Sequence, residues 1–202
     1  MKIGITGTIA SGKTSVSILL RKRGFAVFNS DQYAKMATHC SNPCFPKLVN
    51  ILGEGVVGAD GDIDRKKMAD VIFHNEEMRE KVNEIVHPYV IEGMRRFFQF
   101  HEKDKFAFAE VPLLFEAGLE NEFDRIVVIT CSHDTAIARM MRDRYYSEEQ
   151  AESRYRCQID PEKQKEHADY VIQNDDTLKE LDHSINLWMV GLRKELRDGN
   201  QA

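Results

Sequence analysis

The sequence predicts a parallel α/β fold, and two observations carry that expectation. Short apolar runs at residues 2–6, 26–29, 106–111, 125–130 and 169–173 alternate with longer amphipathic stretches, the pattern of strands joined by crossover helices. The first run leads straight into Gly7-Thr8-Ile9-Ala10-Ser11-Gly12-Lys13-Thr14. That octapeptide fits G-x-x-x-x-G-K-[ST] and stands between a strand and a helix, the setting this phosphate-cradling motif requires.

Taken in order, residues 2–6 are the first strand and 13–23 the helix that follows the loop, ended by Gly24. Residues 26–29 are a second strand and 31–38 a helix. Roughly 75 residues then separate strands two and three, far more than a crossover needs. This segment holds Pro43 and Pro46, a glycine-rich stretch over 53–61, and helix-like text from Asp64. Over residues 76–100, Met78, Val82, Ile85, Tyr89 and Phe97 form a helical stripe, broken or kinked at Pro88. A helical insertion over about 39–103 is expected. It reads either as an acceptor-binding lobe, since ligands favour the crevice beyond strand carboxyl ends, or as an extra packing layer. Residues 106–111, 125–130 and 169–173 complete five strands, with helices at 133–142 and 177–197. The last helix carries Leu178, Leu181, Ile185, Trp188, Met189 and Leu192 on one face, which is core spacing. Over about 139–167, Arg139, Arg142, Arg144, Arg154 and Arg156 are interleaved with Glu148, Glu149 and Glu152. That is either a solvated ion-paired hairpin or a lid that brings guanidinium groups onto a triphosphate. The expected architecture is thus a single P-loop NTPase domain. Its five-stranded parallel sheet is flanked by helices (core 1–38, 104–135 and 168–202) and carries a helical acceptor-binding insertion and a helical lid.

Composition narrows the function. With 202 residues, 42% hydrophobic and 30% charged, the chain suits one soluble globular domain. A formal net charge of −5 gives no support to nucleic-acid binding, so any anion site must be local. No run approaches the roughly 20 apolar residues of a membrane span. Lys2 is followed at once by strand and loop, leaving no room for a signal peptide, so a cytoplasmic protein without membrane partners is expected. A monomer is the default. Among the four cysteines, Cys40 and Cys44 beside His39 make half a zinc-site inventory, but a second ligand pair at metal spacing is missing. Four reduced thiols is the preferred reading.

The loop implies a nucleoside triphosphate. Backbone N–H groups from Ile9 to Thr14 form an anion nest at a helix N-terminus, with Ala10, Ser11, Gly12, Lys13, Thr14 and Ser15 as the binding residues. Lys13 reaches the β- and γ-phosphates, and Thr14 offers its hydroxyl to Mg²⁺. Asp31 follows strand two, which in a parallel sheet places it at the rim of the loop. There it either takes a proton from an acceptor hydroxyl or caps the helix that begins at Gln32; position alone leaves these even. Glu110 ends strand three and can hold a water on Mg²⁺. Glu116, after Pro112, can face the cleft. N-K-x-D is missing from the chain, which counts against a guanine-nucleotide switch. Asn174, within Gln173-Asn174-Asp175, is the polar candidate for adenine.

Together these residues resemble the dephospho-coenzyme A kinase family. The resemblance runs through residues 5–14, Ser30-Asp31 with Ala34, His87-Pro88, Val111-Pro112-Leu113-Leu114-Phe115-Glu116, Arg154 with Gln158, and Ala168-Asp169-Tyr170-Val171-Ile172 with Asn174. It implies a nucleoside-monophosphate-kinase-like core and ATP-dependent phosphorylation of the ribose 3′-hydroxyl of dephospho-coenzyme A, the last step of coenzyme A biosynthesis. By resemblance Asp31 is the catalytic carboxylate, His87 belongs to the coenzyme side, and a lid arginine acts with Lys13. Asp143, flanked by Arg142 and Arg144, stands where the family places its second arginine, so that arginine has either shifted by one residue, to Arg142 or Arg144, or been replaced by Arg139. Two further departures are Asn29, where the family often has an acid, and Ala10, where it often has glycine.

Overall fold

The structure is a computed structural model that describes residues 1–73, 75–157 and 161–199. In chain order the elements are β1 (Lys2–Gly7), α1 (Lys13–Lys22), β2 (Ala26–Asn29), α2 (Ser30–Met36), α3 (Phe45–Leu52), α4 (Arg65–Phe73), α5 (Glu76–Phe100), β3 (Ala107–Glu110), β4 (Arg125–Thr130), α6 (His133–Arg144), α7 (Glu148–Arg156), α8 (Pro161–Glu166), β5 (Tyr170–Gln173) and α9 (Leu178–Gly199). Five strands form one sheet in the order β2-β3-β1-β4-β5. The pairs β1·β3, β1·β4 and β4·β5 are parallel, with Ile5 opposite both Glu110 and Val127. Parallel strands buried on both faces read as continuous apolar text, which is why the three central strands β1, β3 and β4 stand out in the sequence; in the edge strand β5 only Ile172 is buried. The expected parallel α/β architecture is the one observed.

The chain divides into two compact units, Met1–Phe28 with Glu102–Ala202, and Asn29–His101. In the first, Ile3, Ile5, Phe108, Val127 and Ile129 of the sheet pack with Val16 and Leu20 of α1 and with Leu181, Ile185, Trp188, Met189 and Leu192 of α9. The apolar face expected on the last helix is core from Leu181 onward, while Leu178, in the helix's first turn, is exposed. The second unit holds α2 to α5. Its smaller core gathers Ala37, Cys44, Leu48, Val56, Ile63 and Val82.

Within the second unit, Tyr33 of α2 stacks on Tyr89 of α5 with ring centroids 4.8 Å apart. The Tyr33 ring lies so close to Gly93 that a Cβ there would stand 2.2 Å from Cε1. Only glycine admits that contact, so α2 packs with the helical unit although it directly follows a strand. The unit boundary accordingly falls at residue 29, ahead of α2. Helix α5 runs unbroken from Glu76 to Phe100 through Pro88. Pro88 removes one N–H from the helix ladder, but residues 84, 87 and 88 are all exposed, so water can satisfy the carbonyl left behind.

Candidate active site

Helix α1 begins at Gly12, whose φ of 96° is left-handed, and no side chain caps the helix. A Cβ on Gly12 would stand 2.3 Å from Asn174 Nδ2. The N-terminal amides of α1 thus open on the loop of residues 8–12 with a favourable dipole for phosphate. The Lys13 ammonium donates to the carbonyls of Gly7 at 2.9 Å and Thr8 at 2.7 Å. The Ser11 hydroxyl is fully buried and makes no hydrogen bond among the described residues, an orphaned donor of the kind a bound anion satisfies.

Thr14 and Glu110, the two residues expected to serve a metal, are brought together. Thr14 Oγ1 donates to Glu110 Oε1 at 2.8 Å, and Glu110 is only 3% exposed at the end of β3. A hydroxyl and a carboxylate are hard oxygen donors, the set Mg²⁺ takes when phosphates supply the rest. The residues present therefore fit that ion.

Asn174 occupies a place the sequence did not suggest. It is 6% exposed, its backbone N–H donates to Thr130 O at 2.8 Å, and its Nδ2 donates to Ser11 O at 2.7 Å. Its amide is thus committed to bracing the phosphate loop. Next to it, Asp175 accepts from the Ser132 N–H at 2.7 Å and from the Gln173 side chain. Partial burial pushes the Asp175 carboxyl up. The bonds from Gln173, Ser132 and Thr135 outweigh that push and hold it well below the usual carboxylate range. Cys131, after β4, shows the opposite balance, since burial lifts its thiol more than Arg139 and Lys13 lower it.

The arginines of the helical hairpin are sorted by the fold. Arg139 of α6 donates through Nη1 to Ala10 O at 3.3 Å, which puts its guanidinium on the phosphate loop. Arg142 is bound to Asp143 at 2.6 Å and exposed, Arg154 lies over the Tyr146 ring at 4.5 Å, and Arg156 is 3.7 Å from Glu152. Gln158, coupled with Arg154 in the family resemblance, lies outside the described residues. Ile137, Met140 and Ala151 form a small core against which Ile9 and Ala10 pack. Ala10 has φ 58°, so the side chain that departs from the family pattern sits in left-handed backbone with its methyl on the hairpin.

Helix α2 begins at Ser30, and its cap is Asn29, whose side-chain oxygen accepts from the Gln32 N–H at 2.8 Å. The capping role open to Asp31 is filled by its neighbour. Asp31 lies exposed in the first turn of α2. The signal for this was present, because Asn29 precedes Gln32 by three residues, the spacing of a capping box. His87 is exposed on α5, and Glu116 is exposed in the turn after β3.

Parallel sheet, phosphate loop and an uncapped helix start define a P-loop nucleotide-binding fold. Shikimate kinase from Bacteroides thetaiotaomicron shares this fold at TM-score 0.53, with 14% identity over 96% of this chain and 98% of that one. A crystal structure from Thermus thermophilus superposes at TM-score 0.81, with 30% identity over 95% of this chain and 97% of that one. The family model for dephospho-CoA kinase (CoaE) matches residues 1–180, and a Bacillus cereus dephospho-CoA kinase is 38% identical over 178 residues, covering 87% of this chain and 89% of its own. The chain belongs to the dephospho-CoA kinase family and is a phosphotransferase.

Proposed function

We propose that the protein transfers the γ-phosphoryl group of ATP to the ribose 3′-hydroxyl of dephospho-coenzyme A, giving coenzyme A and ADP. The observation that carries this is the family match across residues 1–180, which spans the braced phosphate loop and the Thr14–Glu110 pair. Transfer is direct and in line. The Asp31 carboxylate takes the proton of the acceptor hydroxyl as its oxygen bonds to the γ-phosphorus, and the β–γ bridging oxygen leaves on ADP. Lys13 turns from the loop carbonyls to the β- and γ-phosphates. Arg139 adds positive charge from the side of Ala10. Thr14, with Glu110 through a water, would hold Mg²⁺, which when bound neutralises phosphate charge. Most of the acceleration comes from positioning and electrostatics.

Asn174 acts through the loop it braces, while His87 and Glu116 are assigned to the coenzyme. The four cysteines stand as free thiols, which supports a reducing, cytoplasmic setting. Among the described residues no helix is long and apolar enough to cross a membrane. A monomer completes the proposal. The test is incubation with ATP and dephospho-coenzyme A, with mass spectrometry of the product to locate the new phosphate. Phosphate at the 3′-position is expected. ADP formed with a nucleoside or a sugar acid and none with dephospho-coenzyme A would overturn the assignment.

A further inference from the structure

A second constellation of chemically capable side chains lies wholly within the helical unit. One ligand atom each from His39, Cys40 and Asp62 fall within 4.8 Å of one another. Cys40 Sγ is 4.0 Å from His39 Nδ1, and Asp62 Oδ2 is 3.7 Å from His39 Nε2. The imidazole edge therefore spans the space between thiol and carboxylate. Asp62 comes from a distant part of the sequence but is fixed by backbone. Its Oδ1 accepts from the Cys40 N–H at 2.8 Å, its carbonyl accepts from the Gly58 N–H at 2.8 Å, and the next residue, Ile63, donates to Thr38 O at 2.9 Å. Ser41 fixes the orientation of the ring, with its hydroxyl 2.9 Å from His39 Nδ1 and its backbone N–H donating to that nitrogen at 3.3 Å. Cys44, which the sequence grouped with His39 and Cys40, is elsewhere. It is buried with Sγ 3.9 Å from Ile85 O.

We propose that His39, Cys40 and Asp62 form a site for one borderline-soft divalent transition-metal ion, zinc in the first instance. One sulfur, one nitrogen and one oxygen make a mixed set that hard Mg²⁺ and Ca²⁺ do not favour and that zinc takes at four-coordination. Cys40 and His39 are exposed and Asp62 is half-buried, so water can fill the fourth position. On binding, the Cys40 sulfur bonds to the ion and the thiol proton passes to solvent. The ion ties residues 39–40 to residue 62 and so fastens the loop that contributes Val56 and Ile63 to the core of this unit. The proposal is independent of the phosphotransfer reading and uses none of its residues.

The experiment is titration of the chelator-treated, reduced full chain with Co²⁺ in the absence of nucleotide, followed by competition with Zn²⁺. One equivalent of Co²⁺ should raise a thiolate-to-cobalt charge-transfer band with intense d–d absorption, and Zn²⁺ should abolish both. Cys40→Ser should remove the band. His39→Gln and Asp62→Asn should weaken affinity at least ~10-fold, in line with loss of a ligand or its support. Asp62→Asn keeps an oxygen for the Cys40 N–H, so the turn is preserved. Cys44→Ser and Cys157→Ser should leave the band unchanged. Failure to saturate at one equivalent, or a band that survives Cys40→Ser, would overturn the site.

Discussion

The two compact units solve different problems. In the first, β4 is buried from Ile126 to Thr130, and Phe108, Ile129, Ile185 and Leu192 have no exposed surface. In the second, α4 buries no residue at all and the largest fully buried side chain from α3 is Leu48. A densely packed sheet carries the phosphate loop, whereas the helical unit is held by a thin core and a few specific contacts such as Tyr33 on Gly93. Stability should therefore be unequal between them, with the lower local stability in the helical unit.

The strongest way to break this contrast is at Phe108, which packs at 5.8 Å from Trp188. Phe108→Ala should destabilise the first unit by about 3–5 kcal/mol. Trp188 is the sole tryptophan, so its fluorescence follows that unit while far-ultraviolet dichroism follows both. Leu48→Ala, at about 2–5 kcal/mol, should shift the dichroism transition to lower urea ahead of the Trp188 transition. Coincident transitions in Leu48→Ala would show that the two units unfold as one.

Next in size is Asp31→Ala, which should lower turnover at least ~10²-fold, the lower range for a general base, with ATP binding unchanged by calorimetry. Unchanged turnover would remove Asp31 from its role. Gly93→Ala forces the Tyr33 ring aside and should lose about 1–3 kcal/mol as an overpacked contact, read by chemical denaturation. If Tyr33 holds α2 in place for Asp31, turnover falls with it while the Trp188 transition stays put.

A smaller effect is set by pH. Asp175 has a folded value depressed below its unfolded one of about 3.9. Its contribution is therefore fully present above the unfolded value and is lost as pH falls below ~4 toward the folded one. The stability gap between the protein and Asp175→Asn should be constant above pH ~5 and shrink as the pH falls below ~4. A constant gap down to pH ~2.5 would exclude the linkage.

The smallest effect is expected at Ala10. Left-handed alanine carries a strain of about 1–2 kcal/mol. Losing one partly buried methyl costs less than the ~0.8 kcal/mol of full burial, and glycine adds unfolded-state entropy of about 0.5–1 kcal/mol. Ala10→Gly should therefore stay within about 1 kcal/mol of the parent, and a larger change would mean the hairpin packing has been misjudged.

The same contrast explains what could be read from the chain. The strands stand out as short apolar runs, most clearly the β-branched run of β4, and Gly7 to Thr14 carries its mechanism in its spacing. The helical unit was visible as a stripe over 76–100, but its contacts were not. Nothing local announces that Tyr33 will meet Gly93, or that Asp62 will reach Cys40 across an antiparallel bridge between Val57 and Ile63. The capping role of Asn29 was legible in its spacing from Gln32, and Asp31 drew attention away from it. Asn174 was visible as a polar residue after the last strand, yet its partner is a backbone carbonyl, which no side-chain pattern reveals.

That bond has a consequence for how the protein is made. Asn174 Nδ2 meets Ser11 O across a sequence separation of 163 residues. On the ribosome the phosphate loop emerges 163 residues ahead of the residue that braces it. Contacts so distant along the chain form late. A nascent chain therefore carries the loop unbraced until β5 has been synthesised and has joined the sheet beside β4, so a tight grip on nucleotide is acquired only after that strand is in place.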